Sequence, residues 1–229
     1  MLTMTRRDLR DKVEAGRRFA ARLSVLVGVV FGCYTLVLRP RMLHSGAPPD
    51  EQTRPLPGDD LVPHPTYTTT RALTIRAPAH EIWPWLVQMG QDRAGFYTHN
   101  WVEKLLLSGI PDVHELHPEW QELRVGDLMR TNREIRAGHP LGWSVAIVDP
   151  ARALVVRSKS LPRGTYAFVL EPIDGQTTRL IVRDRAVWSW WQYPFVLLVY
   201  EPLHAYMQTG VLHGIKQRVE RAVIRPVGS

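Results

Sequence analysis

Residues 66–77 alternate between polar and apolar side chains. Leu73 and Ile75 alternate with Thr74 and Arg76, and this period of two predicts a half-buried β-strand. We therefore expect the globular part of the chain to begin with a strand.

A helical spacing of apolar residues follows directly. Pro78 suits the first turn of a helix, where its missing N–H costs no hydrogen bond, and Gly90 suits a helix end. We expect a helix between them, kinked at Pro84 because that residue removes one internal hydrogen bond. Its apolar face consists of Ile82, Trp85, Leu86 and Met89.

The middle of the chain predicts a second helix and then a run of strands. The second helix is expected at about residues 101–107. Turn-prone Asp-Pro and Asp-Gly steps separate the strand-like segments, which indicates an antiparallel meander. The predicted strands are 127–131, 142–148, 153–159, 165–171 and 178–187.

A long helix is predicted from Glu201 to Ile224, because apolar residues recur there on one side at helical spacing. A twisted sheet of this length curls, and a helix laid across its concave side would enclose a hydrophobic interior. The side of the helix expected to face that interior carries His204, Met207, Val211, Ile215, Val219 and Ala222.

Five segments carry a similarity to known proteins: RPLPGDDLVP, TRALTIRAPAHEIWPWLVQMGQDRAGFYTHNWVE, PEWQELRVGDL, YAFVLEPIDGQTTRLIVRDR and EPLHAYMQTGVLHGIKQR. Over about residues 55–221 the chain resembles the START-like, polyketide cyclase-type helix-grip superfamily called SRPBCC. The resemblance implies an α+β fold in which a curved antiparallel sheet wraps around a long C-terminal helix. It also implies a cavity of the kind that commonly holds lipids, polyketides or other apolar molecules, without assigning an activity.

An uncharged apolar run, LSVLVGVVFGCYTLVL, occupies residues 23–38. As a helix it is about 24 Å long, and the flanking Arg22, Arg39 and Arg41 can reach the headgroups of a roughly 30 Å hydrocarbon core. We expect a single-pass membrane anchor; a cleaved signal peptide and a buried core helix are the alternatives. Basic residues are more numerous before the run than after it, which favours a cytoplasmic N-terminus.

These patterns divide the chain into four segments. A basic tail at 1–22 precedes the anchor at 23–38, a Pro-rich linker or strap follows at 39–65, and the helix-grip domain is expected at 66–225. With 229 residues, 45% of them hydrophobic, the chain is long enough for one domain with a real core plus an appendage.

Charge and motifs exclude several function classes. The net charge is +7, but +4 of it lies before Ser24, so the rest of the chain lacks the basic footprint of a nucleic-acid binder. Cys33 is the single cysteine, and His114 and His117 do not form an HExxH pattern, so we expect no metal site. Glycine-rich phosphate loops are missing from the sequence, and we expect no cofactor.

The loop after the first predicted helix combines polar ends with apolar bodies, which suits a pocket that is mostly apolar. The alternative is a structural loop in which Arg93 pairs with a carboxylate such as Asp92 or Glu103. Together with positions that the fold would bring nearby, the ligand-binding candidates are Trp85, Gln88, Met89, Arg93, Phe96, Tyr97, Trp101, Glu119, Trp120, Arg130, Trp143, His204 and Met207.

Three functions remain open from the sequence. The first is binding of a hydrophobic small molecule or lipid without catalysis. The second is an enzyme of the cyclase or dehydratase kind, with His204 or Tyr97 as acid/base and Arg93 or Arg130 stabilising negative charge. As an acid/base, His204 needs an acid that orients it. The alternative is that His204, on the apolar face of its helix, is a core residue. The third is an interaction module whose pocket is filled by large side chains.

The aromatic run at 187–200, VWSWWQYPFVLLVY, is too short and interrupted to span a bilayer. Tryptophan and tyrosine favour the boundary between lipid and water, so this segment is either a gate that dips into the membrane or an edge packed against the core.

Overall fold

A computed structural model describes residues 6–98, 113–131, 142–158 and 163–224. The chain forms two compact units, Met1–Met42 and Leu43–Ser229.

The first unit is helical. Helix α1 spans Arg6–Cys33, a wider π-helical turn follows at Tyr34–Leu38, and helix α2 spans Arg39–Leu43. Within this stretch, Gly16–Leu43 is long and apolar enough to cross a membrane, and its most apolar part is exposed. The predicted apolar helix is thus confirmed. Because a signal sequence has the same length and composition, its role as an anchor stays a prediction.

Within the described residues, six strands of the second unit form one antiparallel sheet in the order β1-β6-β5-β4-β3-β2. The expected meander is confirmed, and the first strand in sequence pairs with the last. The strands are β1 Tyr67–Ile75, β2 Leu128–Arg130, β3 Gly142–Asp149, β4 Ala153–Ser158, β5 Arg163–Asp174 and β6 Thr177–Val187.

The helices of this unit are α3 Pro49–Thr53, α4 Ala79–Val87, α5 Tyr193–Phe195 and α6 Glu201–Ile224. A π-helical turn at Val196–Tyr200 joins α5 to α6, so the aromatic run is largely helical and not an edge strand. Short 3-10 turns occur at Asp59–Leu61, Pro118–Trp120 and Trp190–Gln192. The helix expected at 101–107 lies outside the described residues.

The inner face of the sheet, α4 and α6 share the main hydrophobic core. Because side chains alternate along a strand, Leu180 and Val182 of β6 point into this core while Ile181 points to the other face. Ile82 of α4 and Ile215 of α6 are fully buried against them. The domain therefore has the helix-grip fold that the sequence predicts, with the sheet wrapped around α6.

Of the Pro-rich segment predicted at 39–65, the part after α2, residues 44–65, covers the outer face of the sheet. We call residues 44–65 the strap. Leu56 of the strap is buried beside Val155 and Ile181. Prolines remove backbone donors from such a segment, so its carbonyl oxygens need donors from elsewhere. The buried Arg183 of β6 supplies them: it pairs with Asp59 at 2.6 Å and donates to the carbonyl oxygens of Glu51, Gln52 and Arg54.

Candidate functional site

A cavity of about 310 Å³ lies between α6 and the inner face of the sheet. Its volume falls at the lower end of the roughly 300–1,000 Å³ found for small-molecule pockets. Most of its wall is aromatic or aliphatic. The lining residues are Phe96, Met129, Thr131, Trp143, Val156, Tyr166, Phe168, Tyr200, Leu203, His204, Met207, Gln208 and Val211.

The two periodicities of the chain build this wall. On β5, Tyr166 and Phe168 are two residues apart and point to the same side, with ring centroids 5.0 Å apart. Trp143 of β3 meets the Tyr166 ring edge-on at 5.7 Å. Residues of α6 that recur at helical spacing after Tyr200 complete the opposite wall. They are Leu203, His204, Met207, Gln208 and Val211.

Among the described residues, four of the ligand-binding candidates predicted from sequence line this cavity. They come from three parts of the chain that are distant in sequence, so the fold brings them together. These residues are Phe96, Trp143, His204 and Met207.

Other candidates from the first helix and its loop serve the core. Trp85 and Met89 are buried in the main core. Gln88 is also buried: its amide donates to the Glu115 carbonyl oxygen at 3.1 Å and accepts from the His117 N–H at 3.2 Å. These side chains hold α4 and its loop in place.

Tyr97 connects α4 to α6 and is placed away from the cavity wall. Its hydroxyl donates to the Trp85 carbonyl oxygen at 2.8 Å, and the Arg218 guanidinium lies 4.7 Å from its ring centroid. A Cβ on Gly214 of α6 would overlap the Tyr97 carbonyl oxygen, so the close approach requires glycine. Burial raises the pKa of Tyr97. These contacts do not suit the acid/base role considered for this residue.

The predicted charged candidates lie outside the cavity wall. Arg93 donates to three backbone carbonyl oxygens at 3.3–3.4 Å, which makes it a loop clamp. Of the two carboxylates expected as its partner, Glu103 lies outside the described residues. Arg130 lies 3.8 Å from Asp92. Exposed Glu119 lies 3.1 Å from His117.

Two aromatic candidates remain. The Trp120 ring packs on His117 with centroids 4.3 Å apart, away from the cavity lining. Trp101 lies outside the described residues.

A buried polar cluster around His204 borders the cavity. The Nε2 atom of His204 lies 3.6 Å from Oδ2 of Asp184 and 3.2 Å from the Gln208 amide nitrogen. Its Nδ1 atom lies 3.4 Å from the Tyr67 hydroxyl. The Tyr200 ring stacks on the imidazole with centroids 4.9 Å apart. Both ring nitrogens therefore already have protein partners.

Strands β1 and β6 place the other members of this cluster. Tyr67, Thr69 and Arg71 alternate along β1 toward the inner face, and Thr69 pairs with Asp184 of β6 in the ladder. Arg71 is completely buried and donates to the Thr69 hydroxyl at 3.3 Å. Asp184 thus supplies the acid that sequence reasoning sought near His204 and did not find.

A signal for Asp184 was present in the sequence. It has the same alternation phase as Leu180 and Val182, so a carboxylate occupies an inward position of a buried strand. A buried ionisable residue of this kind needs a partner.

Burial dominates the electrostatics of the cluster. It raises the pKa of Asp184 to about 7, a rise that the charge of Arg71 opposes. It lowers the pKa of His204 to about 3, and Arg71 adds to that fall. Burial also raises the pKa values of Tyr67, Tyr166 and Tyr200. The imidazole of His204 is therefore neutral at physiological pH, whereas the carboxyl group of Asp184 titrates close to that pH.

No family model matches the sequence, and no curated protein matches it. Among solved structures, the Zhui aromatase/cyclase from Streptomyces sp. R1128 is 17% identical, with 71% of this chain and 99% of that chain covered and a TM-score of 0.46. A polyketide cyclase-like protein from Corynebacterium glutamicum is 11% identical, with 71% and 96% covered and a TM-score of 0.37.

A conserved protein of unknown function from Enterococcus faecalis is 15% identical, with 71% and 74% covered and a TM-score of 0.40. Identities and TM-scores this low carry no argument about function. The helix-grip assignment rests on the strand order and on the packing of α6 described above.

Proposed function

We propose that this protein is a membrane-anchored helix-grip domain that binds a hydrophobic small molecule, or the apolar part of a lipid, without catalysing a reaction. One observation carries the proposal: the cavity of about 310 Å³ beneath α6. This cavity lies between α6 and the inner face of the sheet and has a mostly aromatic and aliphatic wall, as small-molecule pockets do. A cavity at this place also argues against an interaction module whose interior is filled.

The composition of the wall defines the ligand class. Aromatic and aliphatic side chains from the sheet and α6 favour an apolar ligand. Gln208 adds an amide to the wall, which suits a ligand with one hydrogen-bonding end. The volume suits a short chain or a small ring system, and a whole diacyl lipid is too large for it.

The membrane part of the proposal is supported by Gly16–Leu43, which has the length and apolarity of a spanning helix. We place the N-terminal tail in the cytoplasm because basic residues are concentrated before the span. Protease added to intact cells will then remove the globular domain; a protected domain would reverse this orientation.

A second candidate function is catalysis of a cyclisation or dehydration in the same cavity. The specific observation in its favour is Asp184, a buried carboxylate 3.6 Å from the imidazole of His204. A neutral imidazole beside an acid can act as a general base. We favour binding because the contacts with Tyr67 and Gln208 engage both nitrogens of that ring.

Extraction of the full-length protein from its own membranes tests binding. We expect mass spectrometry of the organic extract to show an apolar molecule in stoichiometric amount. Val156→Trp, which places an indole in the cavity, should lose this bound molecule, whereas Val125→Trp, at an exposed position, should retain it. An empty wild-type protein, or equal retention by both variants, would refute the proposal.

The extracted molecule also separates the two functions. A binding protein returns it unchanged after incubation. Loss of water or ring closure that His204→Gln and Asp184→Asn both abolish would establish the enzyme instead.

A further inference from the structure

Residues 187–200 display a cluster of large apolar side chains to solvent. Trp190 is 84% exposed, Trp191 66%, Leu198 62% and Phe195 54%. The sequence has no charged residue between Arg185 and Glu201. Contiguous exposed apolar side chains mark an interaction surface. We call this cluster the aromatic surface; it consists of Val187, Trp190, Trp191, Tyr193, Phe195, Leu198 and Val199.

A rigid support presents the aromatic surface. The Trp188 N–H donates to the Thr66 hydroxyl at 2.7 Å, and the Tyr193 hydroxyl donates to the Thr66 carbonyl oxygen at 2.9 Å. Ser189 and Gln192 form a capping box that starts the helical part. The exposure of the rings is therefore a fixed property of the folded domain.

The chain enters the domain beside this surface. Leu43 is the last residue of the apolar helix of membrane-spanning length. It shares a buried cluster with Trp188 and Val196, which belong to the segment that carries the aromatic surface. The second unit therefore begins, at Leu43, beside the segment that carries the exposed tryptophans, whose amphipathic rings favour the boundary between lipid and water.

The aromatic surface is also continuous with the cavity. Tyr200, at the end of the π-helical turn, lines the cavity, and so does Leu203, which is 36% exposed. Leu198 and Val199 come directly before Tyr200 and precede Leu203 by about one helical turn. One helical stretch thus presents apolar side chains outward and lines the cavity inward.

We propose that the aromatic surface inserts into the interfacial layer of a lipid bilayer and admits the ligand from the hydrocarbon into the cavity. The route for the ligand rests on the proposed binding function, whereas the insertion does not. The occupant of the surface is lipid, because of the tryptophan and tyrosine content and the position of Leu43.

Tryptophan fluorescence of the full-length protein in phosphatidylcholine vesicles with brominated acyl chains tests insertion. Bromine quenches only tryptophans that it can contact. We expect strong quenching that Trp190→Phe with Trp191→Phe at least halves, while Trp120→Phe, in the loop region after α4, leaves it nearly unchanged. Equal quenching in the wild type, the double variant and Trp120→Phe would overturn insertion. Tryptophan rings that a dimer of this chain shields from bromine would overturn it too.

Transfer of the small fluorescent naphthalene dye prodan from vesicles to the protein tests the route. We expect Trp190→Ser with Leu198→Ser to slow transfer about tenfold with little change in equilibrium affinity, since an entry path affects rates in both directions. An unchanged rate would overturn the route. Wild-type protein that never binds the probe would instead refute the proposed function, and the quenching result would still stand on its own.

Discussion

The Nε2 atom of His204 lies 3.6 Å from Oδ2 of the buried Asp184, in a contact that joins α6 to the last strand of the sheet. Their pKa values move in opposite directions, and both shifts favour the uncharged forms. The pair therefore links the stability of the domain to pH in a way that single variants can separate.

His204→Gln isolates the carboxyl. The pKa of Asp184 is raised from 3.8 to about 7 in the folded domain, so the folded state binds the extra proton between these values. The free energy of unfolding of this variant should fall as pH rises from 4 to 7, by up to about 1.4 kcal/mol per pH unit. The reference is the double variant with Asp184→Asn, in which the other titrating groups cancel.

Asp184→Asn isolates the imidazole and should reverse the slope. The pKa of His204 is lowered from 6.5 to about 3 by burial, so the unfolded chain binds the extra proton. Relative to the same double variant, its free energy of unfolding should rise as pH rises from 3 to 6.5. Denaturant titrations over this range measure both slopes. Parallel slopes in the two single variants would contradict the assigned shifts.

Arg183 holds the strap to the outer face of the sheet. Arg183→Met removes a buried cation from Asp59 and leaves the strap carbonyl oxygens without their donor. We expect the free energy of unfolding to fall by about 3–5 kcal/mol. Arg124→Met, which breaks an exposed pair with Glu122, should change it by less than about 0.5 kcal/mol. If Arg183→Met lowers the free energy of unfolding no more than Arg124→Met does, the contacts of Arg183 with the strap contribute little to stability.

The contact between Gly214 and Tyr97 reverses the usual effect of a glycine-to-alanine substitution on stability. Glycine to alanine inside a helix normally stabilises by up to about 1 kcal/mol. Gly214→Ala should instead destabilise by about 1–3 kcal/mol, because the new methyl group meets the Tyr97 carbonyl oxygen. Gly175→Ala, in the turn between β5 and β6 where a Cβ meets open space, shows the effect of an added methyl group that makes no contact. Stabilisation by Gly214→Ala in urea unfolding would mean that α6 lies farther from the loop.

The fold was predictable because each element carries its own periodicity. The alternation in β1 and the helical spacing after Glu201 required no knowledge of tertiary contacts. The strap was ambiguous, since prolines suit both a free linker and a covering segment. Its contacts depend on Arg183 in β6, and the alternation along β6 does not show whether the strap or solvent covers that outward side chain.

Most of the predicted residues that line the cavity lie on regular elements, and Phe96, in the loop after α4, is the exception. His204 and Met207 follow from the apolar side of α6, and both line the cavity. The sequence left two interpretations of the polar loop open, because a side chain such as Arg93 satisfies backbone carbonyls as readily as it binds a ligand. Asp184 and His204 are 20 positions apart in the sequence, and only the packing of α6 against the sheet brings them together.

Methyl NMR of the full-length protein with ¹³C-labelled methionine methyl groups tests ligand binding in the cavity most directly. Met129 and Met207 line the cavity, whereas Met89 is buried in the adjoining core. Titration with n-decanol should shift the Met129 and Met207 resonances in a saturable manner and leave Met89 in place. Shifts at Met89 alone, or no saturable shift at any of the three, would contradict a ligand beneath α6.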